Sequence, residues 1–220
     1  VEAILPTAQP SPEVVRLTAT NEQPFGENCL SRVTLTISDL PNDWQASVIS
    51  AGKTWTEAGS NLTILSTTTL LDSQRHIIPL DLGGEAIEWF PLAACEIRVV
   101  TASDLPDHTL ANTRNRTSWA GWAQIYADPS SPQSTLAALV VLNDLNANWA
   151  TGDLIPVGRF DVQTIALHEL GHAIGLPHVD DKNAIMSGEG SEHLLQWLGF
   201  KKRDLTDVDI GNLQAIYGSR

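Results

Sequence analysis

The stretch that decides the fold is His168-Glu169-Leu170-Gly171-His172-Ala173-Ile174-Gly175-Leu176-Pro177-His178. Residues i and i+4 share one helical face, so the imidazoles of His168 and His172 can reach a single ion. Zinc in a catalytic site takes three protein ligands and keeps one position open for water. Glu169, next to the first ligand, is placed to take that water's proton. The ion itself lowers the water's pKa and polarises a carbonyl. Gly175 lets the chain leave the helix through a left-handed conformation, Pro177 stiffens the return, and His178 then supplies the third ligand. Three of the six histidines fall within these eleven residues, a concentration that a surface helix with incidental histidines does not explain. His76, His108 and His193 have no comparable partners and read as surface or satisfied histidines.

Working outward, Asp161 opens the helix that carries the motif, with Ile165, Ala166, Leu170, Ala173 and Ile174 as its apolar positions. Thr206 caps a last helix with Ile210, Leu213, Ile216 and Tyr217 on one side and Gly218 at its end. Upstream, Val33, Leu35 and Ile37 alternate with Thr34, Thr36 and Ser38, a half-buried strand. Trp44, Val48, Ala51 and Trp55 recur every three to four residues, so Asp43 to Ala58 reads as a backing helix. Leu62 to Thr68, Ile97 to Thr101 and Trp119 to Ala127 read as strands, with an insertion-like stretch over Asp72 to Ala94. Leu105 to Ser118 and Asn143 to Gly152 read as polar loops. Leu136 to Leu142 is wholly apolar, a strand expected to be covered on both faces. Residues 1–28, broken by Pro6, Pro10, Pro12 and Pro24, read as an N-terminal extension, and residues 29–220 as one catalytic domain. The layout is α+β.

The formal net charge of the 220 residues is −13, which argues against a nucleic-acid partner. The one basic cluster, Lys201-Lys202-Arg203, reads as a solvated loop. No stretch approaches the roughly 20 apolar residues of a membrane span, and Val1-Glu2-Ala3 does not begin a signal peptide. That fits a cytosolic chain or a secreted one whose signal has been removed. Cys29 and Cys95 can form one disulfide or remain buried thiols, and they lack the spacing of a thiolate zinc site.

The eleven-residue run is the metzincin signature, and Ala184-Ile185-Met186 follows it, with Met186 eight residues after His178. Met186, the sole methionine of the chain, stands where metzincins carry the Met-turn beneath the histidines. Together with Leu205 to Gly218, the segment most resembles the catalytic domain of matrix metalloproteinases, the matrixins. The resemblance implies a twisted, mixed five-stranded sheet over an active-site helix, with one catalytic zinc on His168, His172 and His178 and Glu169 as base. It implies a secreted, monomeric endopeptidase acting on protein or peptide substrates, and favours the Cys29–Cys95 disulfide. It also places an extended substrate along an edge strand, for which Leu136 to Leu142 is the candidate, with Leu167 and the segment after Met186 lining the pocket beyond the scissile bond.

Four departures from the family pattern limit what carries over. The sequence has no Pro-Arg-Cys-Gly cysteine switch. Residues 109–160 contain no histidine, so no second zinc is expected. Ser187-Gly188-Glu189-Gly190 replaces the Pro-x-Tyr wall of the specificity pocket. Val208 replaces the first aspartate of the pair that opens the last helix, leaving Asp209. Calcium is a candidate on the oxygen-rich loop of Asn143, Asp144, Asn146, Asn148 and Asp153, or at Asp180-Asp181. The competing readings are an inactive zinc-binding module and a latent precursor, in which residues 1–28 cover the cleft through Glu27 or Cys29.

Overall fold

The computed structural model describes residues 23–26, 29, 32–69, 75–80, 88–105, 120–128, 131–145, 147–188 and 201–220, with the backbone alone at 75–80, 88–91 and 132. Its centre is a five-stranded sheet in the order β2-β1-β5-β7-β6. The strands are β1 (Val33–Thr36), β2 (Ile64–Thr67), β5 (Glu96–Thr101), β6 (Gly121–Asp128) and β7 (Ser131–Leu142). Four of them run parallel, and β6 pairs antiparallel with β7. The mixed five-stranded sheet with three helices agrees with the α+β expectation.

β7 shows why the sheet is where it is. Its residues alternate between two cores, as a period of two requires. Ala138, Val140 and Leu142 join the larger core, and Ala137, Leu139 and Val141 the smaller one. All six are fully buried. This corrects one expectation: β7 pairs with β5 on one side and β6 on the other, so its backbone is not open to a substrate. The continuous apolar run marks a strand covered on both faces, and here it also lies inside the sheet, between β5 and β6. Among the described residues the sheet ends in β6 next to β7 and in β2 on the far side.

Helices α1 (Asn42–Thr56) and α2 (Val162–Ala173) pack on the larger core. α1 presents Trp44, Val48, Ala51 and Trp55 as one buried stripe. The last helix, α3 (Asp207–Tyr217), buries Leu213 and Tyr217 in the same core. Among the described residues no helix is long and apolar enough to cross a membrane.

Two features were not expected from the sequence. The insertion-like stretch contains an antiparallel hairpin, β3 (Arg75–Leu80) with β4 (Glu88–Ala93), and Leu92 of β4 seals the smaller core. In the loop read as polar, β8 (Trp149–Ala150) pairs in parallel with β9 (Phe160–Asp161) just before α2. Trp149 sits between Trp44 and Phe160, with ring centroids 5.0 and 5.6 Å away, and its indole N–H donates to the Asn143 carbonyl at 2.9 Å.

Cys29 and Cys95 form a disulfide. Of the segment assigned to the N-terminal extension, residues 23–26 lie against the body of the domain. Pro24 O accepts from Thr135 N, Gly26 N donates to Thr135 O, and Phe25 is buried in the larger core. The remainder of that segment, and most of the polar loop after Leu105, lie outside the described residues.

Candidate metal centre

The helix that carries the centre is fixed at both ends by local chemistry. Asp161 caps α2, its side chain accepting from Thr164 N at 3.2 Å and from Thr164 Oγ1 at 2.7 Å. Arg203 grips the same carboxylate from outside, with Nε and one terminal nitrogen at 2.8 and 2.7 Å. That hydrogen bonding raises the Arg203 pKa. At the other end, Gly175 takes φ +91°, and the N–H groups of Gly175 and Leu176 return to the carbonyls of His172 and Gly171, both at 2.9 Å. This is a left-handed helix stop that satisfies the terminal carbonyls. A Cβ at Gly175 would also meet the Gln23 carbonyl oxygen at 2.6 Å.

The stop swings His178 back over the helix. His178 Nε2 lies 3.2 Å from His168 Nε2 and 3.0 Å from His172 Nε2. The first two rings are anchored from behind: His168 Nδ1 donates to the Ile185 carbonyl and His172 Nδ1 to the Leu176 carbonyl, each at 2.8 Å. A carbonyl only accepts, so both rings carry a proton on Nδ1 and turn Nε2 towards the common point. Burial lowers the His168 pKa to about 4 and the His172 pKa to about 3, against smaller opposing effects from those backbone bonds. The rings are therefore neutral at physiological pH, the state a metal ligand needs. Three imidazole nitrogens converging this closely are able to hold a cation, and a set of three imidazoles suits zinc. Among the described residues this is the one group of three or more His, Cys, Asp or Glu side chains able to hold an ion.

Glu169 follows His168 and is buried at the same helix face as the start of β6. A Cβ at Gly121, the first residue of β6, would stand 3.1 Å from Glu169 Cγ. The glycine is what lets the edge strand come this close to the glutamate. Leu167, assigned to the pocket, is fully buried in the larger core, where it packs rather than lines an open surface. Trp55 backs the helix, its indole N–H donating to the Leu167 carbonyl at 2.8 Å.

Beneath the histidines lies the turn ending at Met186. The buried Asp209 carboxylate accepts from Ile185 N at 2.9 Å and Met186 N at 3.1 Å, while also closing the capping box of α3 with Thr206. Lys202 reaches the same turn from the other side, and burial lowers its pKa against the attraction of Asp209 and Asp181. Tyr217 ties α3 to the helix stop: its hydroxyl donates to the Ile174 carbonyl at 2.8 Å and accepts from Phe25 N at 3.3 Å. Burial raises its pKa. Of the candidate calcium loop, Asp144 accepts from Ser103 N and Oγ, and the exposed Asp153 pairs with Lys201. Asn146 is outside the described residues, as are His108 and His193.

The sequence profile of the matrixin family matches residues 108–218. The chain belongs to the matrixin family. This matrixin is 32% identical over 81 residues to metalloendoproteinase 2-MMP of Arabidopsis thaliana, a stretch covering 34% of this chain and 20% of the relative. It is 35% identical over 75 residues to human matrix metalloproteinase-16, covering 34% of this chain and 11% of the relative. Matrix metalloproteinase-C of Caenorhabditis elegans matches at 27% over 133 residues, 59% of this chain and 22% of the relative. The chain thus spans about a fifth or less of the length of these relatives. The family implies zinc, and the three histidines form a triad able to hold a metal ion.

Proposed function

We propose that this matrixin is a secreted zinc endopeptidase that hydrolyses internal peptide bonds, with His168, His172 and His178 holding the ion and Glu169 serving as general base. The observation that carries the reading is the convergence of three imidazole Nε2 atoms, two of them locked as lone-pair donors, beside a buried glutamate. When bound, the ion supplies Lewis-acid activation of water and of the scissile carbonyl. Glu169 takes the proton of the attacking water and returns it to the leaving amine, a cycle that suits a carboxylate held beside the reacting atoms. Its burial keeps it away from competing solvent donors.

The substrate lies extended along β6, the strand at the sheet edge nearest Glu169. Main-chain hydrogen bonds to that edge fix the register, and alternate side chains point to and from the surface. Nothing in such pairing selects a free terminus, which supports internal cleavage. The disulfide supports an oxidising, extracellular setting. The catalytic unit is residues 29–220 together with the docked residues 23–26, acting as a monomer.

Zinc analysis and casein hydrolysis separate an active enzyme from a zinc-binding module without turnover. Glu169→Ala should keep its zinc and lose a factor of about 10²–10⁴ in turnover. A variant with near-wild-type rates refutes the assigned base, and release of only single terminal residues from a peptide library refutes the endopeptidase.

A further inference from the structure

Three consecutive cations, Lys201-Lys202-Arg203, stand between the described body and α3. Their partners differ in kind. Lys201 pairs with Asp153 at 3.2 Å at a site where Asp153 is 92% exposed, and such a pair is a minor surface contact. Arg203 holds the N-cap of α2. Lys202 is directed inward. Its backbone N–H donates to Thr164 Oγ1 on α2 at 2.9 Å, and its ammonium donates to the carbonyls of Lys182 at 2.9 Å and Ala184 at 2.5 Å.

Those carbonyls belong to the turn that Asp209 grips through its amides. The peptide group joining Ala184 to Ile185 has its oxygen on the Lys202 ammonium and its N–H on the Asp209 carboxylate. The next peptide group has its N–H on Asp209 and its oxygen on the His168 ring. Opposite charges therefore hold the first of two successive peptide planes, and the second, fixed by Asp209 at its N–H, meets the His168 ring at its oxygen and sets that ring's orientation and tautomer. Aligned dipoles of this kind strengthen one another, and the partner behind a ligating histidine tunes its affinity for metal.

We propose that Lys202 is a positioning residue of the metal centre, its ammonium holding the 182–186 turn so that the Ile185 carbonyl meets the His168 ring. The inference rests on the zinc-peptidase reading above. Lys202 does not touch substrate; it acts through the turn and His168.

The test compares Lys202→Met, which keeps the apolar stem and removes charge and donors, with Lys202→Arg and with Lys201→Met as the surface comparator. The readouts are zinc dissociation constants from competition with a chromogenic chelator, the visible spectrum of the cobalt-substituted protein, and kcat and KM on a peptide. Lys202→Met should weaken zinc binding by about 10–100-fold, shift the cobalt bands and lower kcat with KM little changed. Lys202→Arg should recover much of both, and Lys201→Met should match wild type. If Lys202→Met does not fold by circular dichroism, Lys202→Gln, which keeps two N–H donors without the charge, takes its place under the same criteria. Zinc affinity within about twofold of wild type and an unshifted cobalt spectrum overturn the proposal. A wild-type protein that binds no zinc refutes the peptidase reading instead.

Discussion

Gly171→Ala sets two effects of opposite sign against each other. In an exposed helix interior the change gains about 1 kcal/mol from propensity. At position 171 the added Cβ would collide with the Met186 sulfur and stand 3.0 Å from Trp55 Cζ2. Neither neighbour has room to yield. Met186 is buried, and Trp55 is fully buried with its indole N–H tied to Leu167 O at 2.8 Å. Overpacking a filled core costs about 1–3 kcal/mol, and a collision with two fixed groups belongs in the upper half of that range. The net effect is a loss of about 1–2 kcal/mol, or a fall in Tm of roughly 2–8 °C for a chain of this size. Met186→Ala alone should cost about 2–5 kcal/mol as a cavity, yet it vacates the space the new methyl needs. In that background Gly171→Ala should stabilise by up to about 1 kcal/mol. Urea midpoints of all four proteins in EDTA give the cycle, with an expected coupling of about 1–3 kcal/mol. If Gly171→Ala raises the midpoint of the otherwise native chain, the packing of Met186 beneath the helix is not as described.

Three further outcomes follow from other contacts. Asp209→Ala strands the amides of Ile185 and Met186 and removes the cap of α3, so it should cost about 3–6 kcal/mol; a urea midpoint near wild type would contradict the role of the carboxylate. Cys95→Ser opens a loop with a sequence separation of 66 and should cost about 4 kcal/mol on the chain-entropy account, read as a lower midpoint without change in zinc stoichiometry. The depressed pKa values of His168 and His172 give the metal-free protein a defined acid sensitivity. Below their ordinary value of 6.5 the unfolded chain takes up protons that the folded rings refuse until about 4 and about 3. Stability present at pH 7 should therefore fall by a few kcal/mol as pH drops through that window, and a flat urea midpoint between pH 7 and 5 in EDTA would count against the buried neutral rings.

Much of the site was legible because its spacing is local. The i, i+4 histidines, Gly175, Pro177 and Met186 sit within 19 residues of one another, and helix geometry alone brings most of them together. The strands were legible where alternation or a continuous apolar run marks burial. The edge was misassigned because an apolar run reports cover on both faces and says nothing of what pairs with either side. The hairpin β3–β4 was hidden by Pro79 and Pro91, residues that ordinarily argue against a strand. Lys202 read as solvated because its partners are backbone carbonyls 18 and 20 residues away, which no charge pattern reveals. Gly121 gave no signal either: its reason is the Glu169 side chain on another element.

The disulfide has a consequence for what survives a cut. A single break of the backbone anywhere from residue 30 to residue 94 leaves two fragments still bonded through Cys29 and Cys95. A preparation nicked in that span migrates as one band until a thiol is added and as two afterwards, so its integrity depends on the buffer in which it is judged. A break beyond residue 95 has no such tether. The piece bearing α3, with Asp209 and Tyr217, is then retained by packing and hydrogen bonds without a covalent link, and dilution can carry it away. The molecule is forgiving of damage in its first half and exposed to it in its second, where the three clustered histidines and the Asp209 carboxylate lie on the same untethered stretch.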